Sequence, residues 1–341
     1  MMFNPNAKHS FDCNFKASDL FDALQIWSIK PHVVNRRLAG CVHVKNAAES
    51  LDVWDKENIN MIMRNFLVSA NVGTNIGVLD HFDFLEEDSK DETIDDTTTI
   101  QLMLRRLIPR NIEKFSTTIE CGVIVFNSNR IVACFLPLTI EENESYVIAE
   151  EDSVNMQKLI TKSYCICYEE GKQRLSLHLH HRFEEFSLKT ALVANSSWLV
   201  EVLLQRLKRW SLSRAESDMP LKKSQTLSLV NVEEYTKLYS ELKKKYGPHF
   251  VEIWPESTDP LKFVYEDVAI ATYIILLWRS EQVQRKQTFV DLGCGNGLLV
   301  HILTAEGYSG RGVDITSRKI WNLYGEETVL QVYIHPSHMR L

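Results

Sequence analysis

The feature that most constrains this chain is a run of three glycines at alternate positions, directly after a short apolar segment. The glycines are Gly293, Gly295 and Gly297. Because glycine has no Cβ, it takes positive φ without strain and lets a ligand approach the backbone closely. The apolar segment 289–292 predicts a buried strand in which Asp291 is the only acid. The pattern therefore predicts a strand followed by a loop that binds a ligand.

A helix and a second strand follow this loop. Leucine and isoleucine recur at helical spacing after Gly297, and Gly307 is placed to end the helix in the left-handed conformation. The next segment, 312–315, predicts a second strand with Asp314 at its carboxyl end. In open α/β sheets that end of a strand faces the ligand crevice, so Asp314 is a candidate ligand-binding residue.

Two kinds of ligand site use a glycine loop and a later acid. Dinucleotide-binding folds use the spacing G-x-G-x-x-G, because a helix N-terminus must face a pyrophosphate. This chain has G-x-G-x-G instead, with Asp291 just before it. The alternative is a purely structural turn between strand and helix. Asp291 and Asp314 together favour a ligand site over that turn.

The sequence DLGCGNG resembles motif I of the class I S-adenosylmethionine (SAM) methyltransferases. The resemblance implies an α/β fold with a class I Rossmann-like sheet, preceded here by an α+β N-terminal region. It also implies SAM as the cofactor, with Asp291 near its amino group or sulfonium and Asp314 accepting hydrogen bonds from its ribose. The implied cofactor-binding residues are Asp291, Gly293, Cys294, Gly295, Asn296, Gly297 and Asp314.

Longer blocks around this motif are similar to the tRNA (uracil-2′-O-)-methyltransferase family. They are DPLKFVYEDVAIATYIILLW, FVDLGCGNGLLVHIL and GYSGRGVDITSRKIW. Residues 265–267 and 318–321 narrow the resemblance to this family. It implies methyl transfer to the 2′-hydroxyl of a uridine in serine tRNA. The alternatives are a SAM-dependent methyltransferase of another RNA or of a protein, and a non-catalytic form that binds RNA or a partner.

The class I sheet needs more chain than follows Asp314 here. The 27 residues after Asp314 have room for one helix (317–324) and one strand (329–334). We therefore expect a sheet that is incomplete at its C-terminal side, with one edge of its first strand bare. The positions that the resemblance implies for the general base lie beyond Leu341, so no catalytic residue is assigned.

The charge of the chain limits how it could bind RNA. A formal net charge of −7 provides no overall field that favours nucleic acid, so an RNA substrate needs a local basic patch. Residues 206–245 carry ten lysines and arginines against five acids. Lys243, Lys244 and Lys245 are the candidate RNA-binding residues there. The alternative is that they stabilise the C-terminal end of a helix, where the helix dipole favours cations.

A smaller basic group lies in the apolar segment 100–108 and just after it. Arg105, Arg106 and Arg110 are its members. Such a cluster can contact phosphates, and the alternative interpretation is a solvated helix face.

The seven cysteines are odd in number and scattered, which is typical of reduced thiols in the cytoplasm or nucleus, and we expect a cytoplasmic protein. Cys165 and Cys167 predict two strand residues that face one side. His178 and His180 share a strand face, with no cysteine or carboxylate at ligand spacing in the sequence, so no metal is expected. The longest apolar run, 268–278, is too short to span a bilayer.

Three segments organise the chain. Residues 1–210 predict an α+β region with a solvated acidic loop at 86–98, residues 211–226 a polar linker, and residues 227–341 the N-terminal part of a SAM-dependent methyltransferase domain. Within the first segment, 117–126 and 130–138 predict a hairpin, and 164–168 and 174–183 predict another.

Several helix boundaries follow from capping signals. Ser18 is the expected N-cap of a helix at 17–28, and 188–210 predicts a second helix. Asn231 is expected to cap a third helix, which Gly247-Pro248 would end. Residues 251–267 are expected to be a connector before a buried helix at 269–278.

Overall fold

The computed structural model describes residues 10–52, 55–72, 97–140, 146–148, 163–179, 196–216, 229–280 and 287–333. The chain divides into two compact units, Met1–Ser224 and Gln225–Leu341. The acidic loop 86–98 lies almost entirely outside the described residues, as do residues 217–226 of the expected linker. The first residues of that linker, 211–215, are helical.

The first unit is built on a sheet whose neighbouring strands all pair antiparallel. Its strands are β1 (Ser10–Asp12), β2 (Leu38–Leu51), β3 (Thr98–Pro109), β4 (Thr118–Phe126), β5 (Arg130–Ile140), β6 (Tyr146–Ile148), β7 (Tyr164–Glu169) and β8 (Arg174–Leu179). They lie in the order β1-β8-β7-β5-β4-β3-β2, with β6 beside β5. Both predicted hairpins are confirmed, as β4–β5 and as β7–β8.

Helices cover both faces of this sheet. Helices α1 (Ala17–Ile29) and α3 (Gln205–Ala215) contribute to one core, and α2 (Lys56–Ser69) contributes to the other. Neighbouring residues of β4 divide between the cores, since Ile124 lies in the first and Val125 in the second. Successive side chains of a strand point to opposite faces, so one strand supplies both cores. A π-helical segment, Leu199–Leu204, runs directly into α3.

Helix α1 begins with a different cap from the one expected. Lys16, and not Ser18, is its N-cap residue. The Asp19 carboxylate accepts a hydrogen bond from the Lys16 N–H at 2.9 Å, and the distant Glu170 carboxylate accepts one from the Ala17 N–H at 3.0 Å. Acidic side chains therefore satisfy amide groups at the start of the helix.

The interpretation of Arg105 as part of an exposed basic cluster is wrong. It lies on β3, its side chain is fully buried, and its Nη2 lies 3.0 Å from Glu120 Oε2. Its Nη1 donates to the carbonyl oxygens of Trp27 at 2.8 Å and of Ser28 at 2.7 Å, near the C-terminal end of α1. A buried charge is costly unless it is paired, so these contacts fasten the helix to the sheet.

Cys165 and Cys167 face the same side of β7, as predicted, with their sulfur atoms 3.4 Å apart. The pairing of β7 with β8 places Cys165 opposite His178, a cross-strand neighbour that spacing along the sequence does not show. His180 lies outside the described residues. Within the described ranges, no group of three or more histidines, cysteines and acids is arranged to hold a metal ion.

The second unit combines three helices with a small parallel sheet in its described residues. The helices are α4 (Val232–Glu252), α5 (Pro260–Ser280) and α6 (Leu298–Ala305), and the strands are β9 (Thr288–Leu292), β10 (Ser309–Asp314) and β11 (Val329–Val332). The strands lie in the order β11-β10-β9. The predicted strand–loop–helix–strand unit is confirmed, with Gly307 at φ +88° after α6.

Helix α4 passes through the position where its end was expected. Asn231 is its N-cap, as predicted, but the helix continues through Gly247 and Pro248 to Glu252, so the predicted stop is wrong. A Cβ at Gly247 would lie 2.6 Å from the ring of Tyr265. The glycine is therefore a close contact between α4 and α5, and packing between the helices overrides the local stop signal.

Helix α5 begins earlier than predicted. The expected connector 251–267 is wrong at both ends, because α4 runs to Glu252 and α5 starts at Pro260 and runs to Ser280. Proline is tolerated in the first turn of a helix, where its missing N–H would have no partner inside the helix. The longer helix matters for the site because it carries residues 265–267. No helix within the described ranges is long and apolar enough to cross a membrane.

Strand β9 has one neighbour, β10, in the described part of the chain. On one face of this strand Val290 is 51 % exposed and Leu292 is 80 % exposed. This edge and face of the small sheet therefore carry apolar side chains that the described residues leave largely uncovered.

Replacing Arg105 with Met should lower the free energy of unfolding by about 3–5 kcal/mol, because Glu120 then stays buried without its cation. Urea unfolding followed by circular dichroism measures this loss. Arg209→Met removes an exposed arginine and is the control, with an expected change within about 0.5 kcal/mol. Adding Glu120→Gln to Arg105→Met should recover part of the loss. Equal stability of the Arg105→Met and control variants would contradict the anchoring role.

Candidate cofactor site

The glycine loop follows β9 and has a backbone path that favours glycine at all three alternate positions. Gly293, Gly295 and Gly297 have φ of +78°, +53° and +74°. A Cβ at Gly297 would also lie 2.7 Å from the side chain of Leu330. A Cβ at Gly293 or Gly295 would meet nothing within 4 Å. The backbone at these two positions is therefore open to close approach by a ligand.

Four of the five N–H groups of this loop, and the Leu298 N–H that follows it, are bonded within the protein. The Gly293 and Cys294 N–H groups donate to the Val313 carbonyl at 2.7 and 3.2 Å, and the Gly297 N–H donates to the Cys294 carbonyl at 2.8 Å. The Gly295 N–H donates to Asp314 Oδ2 at 2.8 Å, and the Leu298 N–H donates to Asn296 Oδ1 at 2.6 Å. A phosphate site at a helix N-terminus offers free N–H donors. These five donors are not free, so the loop is unsuited to a pyrophosphate.

Asp314 stands at the end of β10 with its carboxylate against the loop. One oxygen accepts from the Gly295 N–H, and the other lies 3.3 Å from the Thr316 nitrogen, which donates to it. These backbone hydrogen bonds, led by that from Gly295, lower the pKa of Asp314. The group is therefore ionised at neutral pH and has lone pairs left to accept ligand hydroxyls.

Asp291 lies on the neighbouring strand, where it pairs with Gly312 in register. Burial, and then the negative charge of Asp314, raise the pKa of Asp291. The structure thus brings together the two acids singled out in the sequence. A cation close to both would relieve their mutual repulsion.

Cys294 is buried beneath the loop. A Cβ on Gly312 would lie 2.7 Å from the Cys294 sulfur, so the thiol fills the space over β10. Burial, and then the charges of Asp291 and Asp314, raise the pKa of Cys294 to about 11. The thiol therefore stays protonated and packs inside, and a ligand above the loop would meet the backbone of this residue.

Both ends of the Asn296 side-chain amide are bonded within the protein. Its Oδ1 accepts from the Leu298 N–H, and its Nδ2 donates to Asp267 Oδ2 at 2.9 Å. Asp267 lies on α5 and was not predicted as a site residue. The only sequence signal was its place in the block 265–267 that narrowed the family resemblance.

Two aromatic residues after β10 also hold the loop. Trp321 Nε1 donates to the Gly295 carbonyl at 2.9 Å, and the Tyr324 hydroxyl donates to the Asn296 carbonyl at 3.0 Å. Trp321 belongs to the 3₁₀ helix Lys319–Leu323, which lies within the range 317–324 where a helix was predicted. Neither residue was assigned a role from the sequence, although Trp321 ends the block 318–321.

The three candidate RNA-binding lysines lie exposed on α4 and differ in their contacts. Lys245 Nζ donates to Glu306 Oε1 at 2.8 Å, just after α6, so this lysine joins two elements of its own unit. Lys243 Nζ lies 4.8 Å from the ring centroid of Tyr265. Lys244 is exposed on the same helix. The hydrogen bond to Glu306 leaves Lys245 less available to an external anion than Lys243.

Comparison with known proteins places the second unit in a family. The model of a family described as "Predicted AdoMet-dependent methyltransferase" matches residues 229–336. SAM is therefore the methyl donor of the family to which this region belongs. No solved structure matches the chain significantly.

Curated relatives extend the similarity across both units. A probable tRNA (uracil-O(2)-)-methyltransferase of Xenopus laevis is 34 % identical over 330 residues, which cover 91 % of this chain and 44 % of the relative. A human protein of the same name is 39 % identical over 238 residues, covering 68 % of this chain and 30 % of the relative. A Debaryomyces hansenii tRNA (uracil-O(2)-)-methyltransferase is 56 % identical over 89 residues, covering 26 % and 15 %.

The chain thus spans less than half of the length of these relatives. The family model covers the glycine loop and both acids. The resemblance found in the sequence named the same family as these relatives do. The chain therefore belongs to the tRNA (uracil-O(2)-)-methyltransferase family.

Proposed function

We propose that this chain binds SAM at the loop 293–297 and acts in methyl transfer to the 2′-hydroxyl of a uridine in tRNA. The observation that carries the proposal is the loop itself, with positive φ at alternate glycines and four of its five N–H groups bonded internally. Such a loop suits a nucleoside ligand that has no phosphate. The names of the relatives support the uridine and tRNA parts of the proposal.

In this proposal the two acids bind different ends of the cofactor. Asp314, ionised and at the end of β10, accepts hydrogen bonds from the ribose hydroxyls. Asp291 lies near the positively charged amino group or sulfonium, which would offset its repulsion by Asp314. Gly293, Gly295 and Gly297 provide close approach, and Cys294 and Asn296 contribute backbone. Serine tRNA as the particular substrate rests on the family resemblance alone.

We further propose that the parallel sheet of the second unit is the first part of a class I methyltransferase sheet. The parallel order β11-β10-β9 corresponds to strands 3-2-1 of that fold. Ligands of open α/β sheets bind at the carboxyl ends of the strands, where the glycine loop and Asp314 lie. This agreement supports a class I assignment for the second unit.

The chemistry asks mainly for positioning. When bound, SAM would supply a methyl group carried on its positively charged sulfur. The methyl group would pass in line to the ribose 2′-oxygen, S-adenosylhomocysteine would leave, and the hydroxyl proton would be released. Holding the two reactants in this alignment supplies much of the rate of such a reaction. The described residues supply the cofactor side of the alignment through the loop, which Trp321, Tyr324 and Asp267 hold in place.

Gly295→Asp should abolish measurable SAM binding, a loss of at least about 100-fold, because its side chain would occupy the open space above the loop at a strained positive φ. Calorimetric titration with SAM measures the affinity, after thermal melts have shown that both proteins fold. Gly171→Asp, in a turn where an added Cβ also meets nothing, is the matched control and should bind as the wild type does. Unchanged SAM affinity of Gly295→Asp would contradict the site.

Lys243→Glu and Lys244→Glu together should weaken tRNA binding by about tenfold or more and reduce its salt dependence, because two phosphate-binding cations become anions. Filter binding at several salt concentrations measures both quantities. Lys16→Glu with Lys172→Glu changes the net charge equally at exposed positions of the first unit. A loss confined to this control pair would place RNA binding on the first unit and refute the proposed patch.

A further inference from the structure

Asp267 connects the proposed cofactor site to a helix outside it. The residue lies in the first half of α5, and its Oδ2 accepts a hydrogen bond from Asn296 Nδ2 at 2.9 Å. Asn296 stands between Gly295 and Gly297, at the centre of the loop. A single side-chain bond therefore joins α5 to the part of the chain that would face the cofactor.

The direction of the Asn296 amide depends on this bond. Its Oδ1 accepts from the Leu298 N–H at 2.6 Å, in the first turn of α6. With that oxygen engaged, the amide nitrogen must point to an acceptor elsewhere, and Asp267 provides it. One amide thus ties together α5, the glycine loop and α6, and losing its acceptor would free the loop to move.

Hydrogen bonding alone does not require an acid at position 267. An asparagine of the same shape could offer its own oxygen to Asn296 and would carry no charge. The carboxylate of Asp267 interacts with two other acids, Glu266 on the same helix and Asp291 on β9, and both repel its negative charge. Tyr324 also faces it, from the segment after β10.

The ionised form of Asp267 is costly in the protein alone. Burial, and then the charges of Glu266 and Asp291, raise the pKa of Asp267 to about 6, although the Asn296 bond opposes this rise. Because the folded-state pKa lies above the usual aspartate value of 3.8, this group lowers stability as pH rises from about 4 to 6. At neutral pH the carboxylate is charged at the expense of stability, and a cationic ligand would offset that cost.

We propose that Asp267 is a positioning residue of the cofactor site, which orients the glycine loop through Asn296 and whose charge favours the methyl donor over its demethylated product. The inference rests on the proposed function. SAM carries a sulfonium, whereas S-adenosylhomocysteine carries a neutral thioether in its place. An added negative charge near the site therefore strengthens binding of the donor more than binding of the product.

Asp267→Asn is the main test, because it keeps an acceptor for Asn296 and removes the charge. Calorimetric titrations with SAM and with S-adenosylhomocysteine, from pH 5.5 to 8, give both affinities. We expect the preference for SAM over S-adenosylhomocysteine to fall by about tenfold at pH 7.5, the effect of a little over 1 kcal/mol. We also expect the melting temperature at pH 8 to rise, since the cost of the buried charge is gone.

The pH profile gives a readout that loss of packing would not move. In the wild type, the SAM preference should weaken below about pH 6, as Asp267 takes up a proton, and in Asp267→Asn this step should be absent. Glu266→Gln removes the same charge from an exposed neighbour that makes no bond to Asn296. Its preference should stay within about twofold of the wild type.

Two further outcomes separate the possible failures. Asp267→Glu keeps the charge and should retain the preference for SAM over S-adenosylhomocysteine. If Asp267→Asn does not fold, the pH profile of the SAM preference in Asp267→Glu is the test instead. A folded wild type that binds SAM, with an unchanged preference and pH profile in Asp267→Asn, overturns the role of Asp267 and leaves the proposed function standing. A folded wild type that binds neither compound overturns the proposed function and this inference with it.

Discussion

The internal hydrogen bonds of the loop 293–297 set its backbone path and leave few of its N–H groups for a ligand. The backbone there must bond to the Val313 carbonyl, to Asp314 and to its own first helical turn, and that path needs left-handed φ at three glycines. Since these N–H groups are engaged, a phosphate would find no free donor among them. Asp267, Trp321 and Tyr324 act on the same loop from outside and keep it in this shape.

The first unit depends on a different interaction, the buried pair of Arg105 and Glu120. The arginine lies between the rings of Trp27 and Phe135, at 5.3 and 5.2 Å from their centroids, and it bonds to the end of α1. Burial raises the pKa of Glu120, and the charge of Arg105 opposes that rise. The pair is therefore stable only as a pair, and it sets where α1 lies on the sheet.

Where a prediction from the sequence was wrong, contacts formed in the folded protein outweighed the local sequence signal. Gly247 and Pro248 are a strong stop in any isolated helix, yet the ring of Tyr265 packs on the glycine and α4 continues. Ser18 is a good cap by type, but Lys16 and two carboxylates take that place. Arg105 was interpreted as exposed because arginine usually is, whereas its partners lie on another strand and on α1. Apart from Asp19, which is three residues from Lys16, these partners are distant in the sequence.

The sequence by itself determined the strand–loop–helix–strand unit, the two hairpins and the pair of acids at the loop, since each depends on the spacing of a few neighbouring residues. Glycine spacing sets backbone freedom, and apolar spacing sets which face is buried, so these features are local. Only the tertiary structure decided that Asp267 meets Asn296 and that Lys245 pairs with Glu306, because these contacts join residues 29 and 61 positions apart. Contacts of that kind depend on how helices pack, which no local pattern contains.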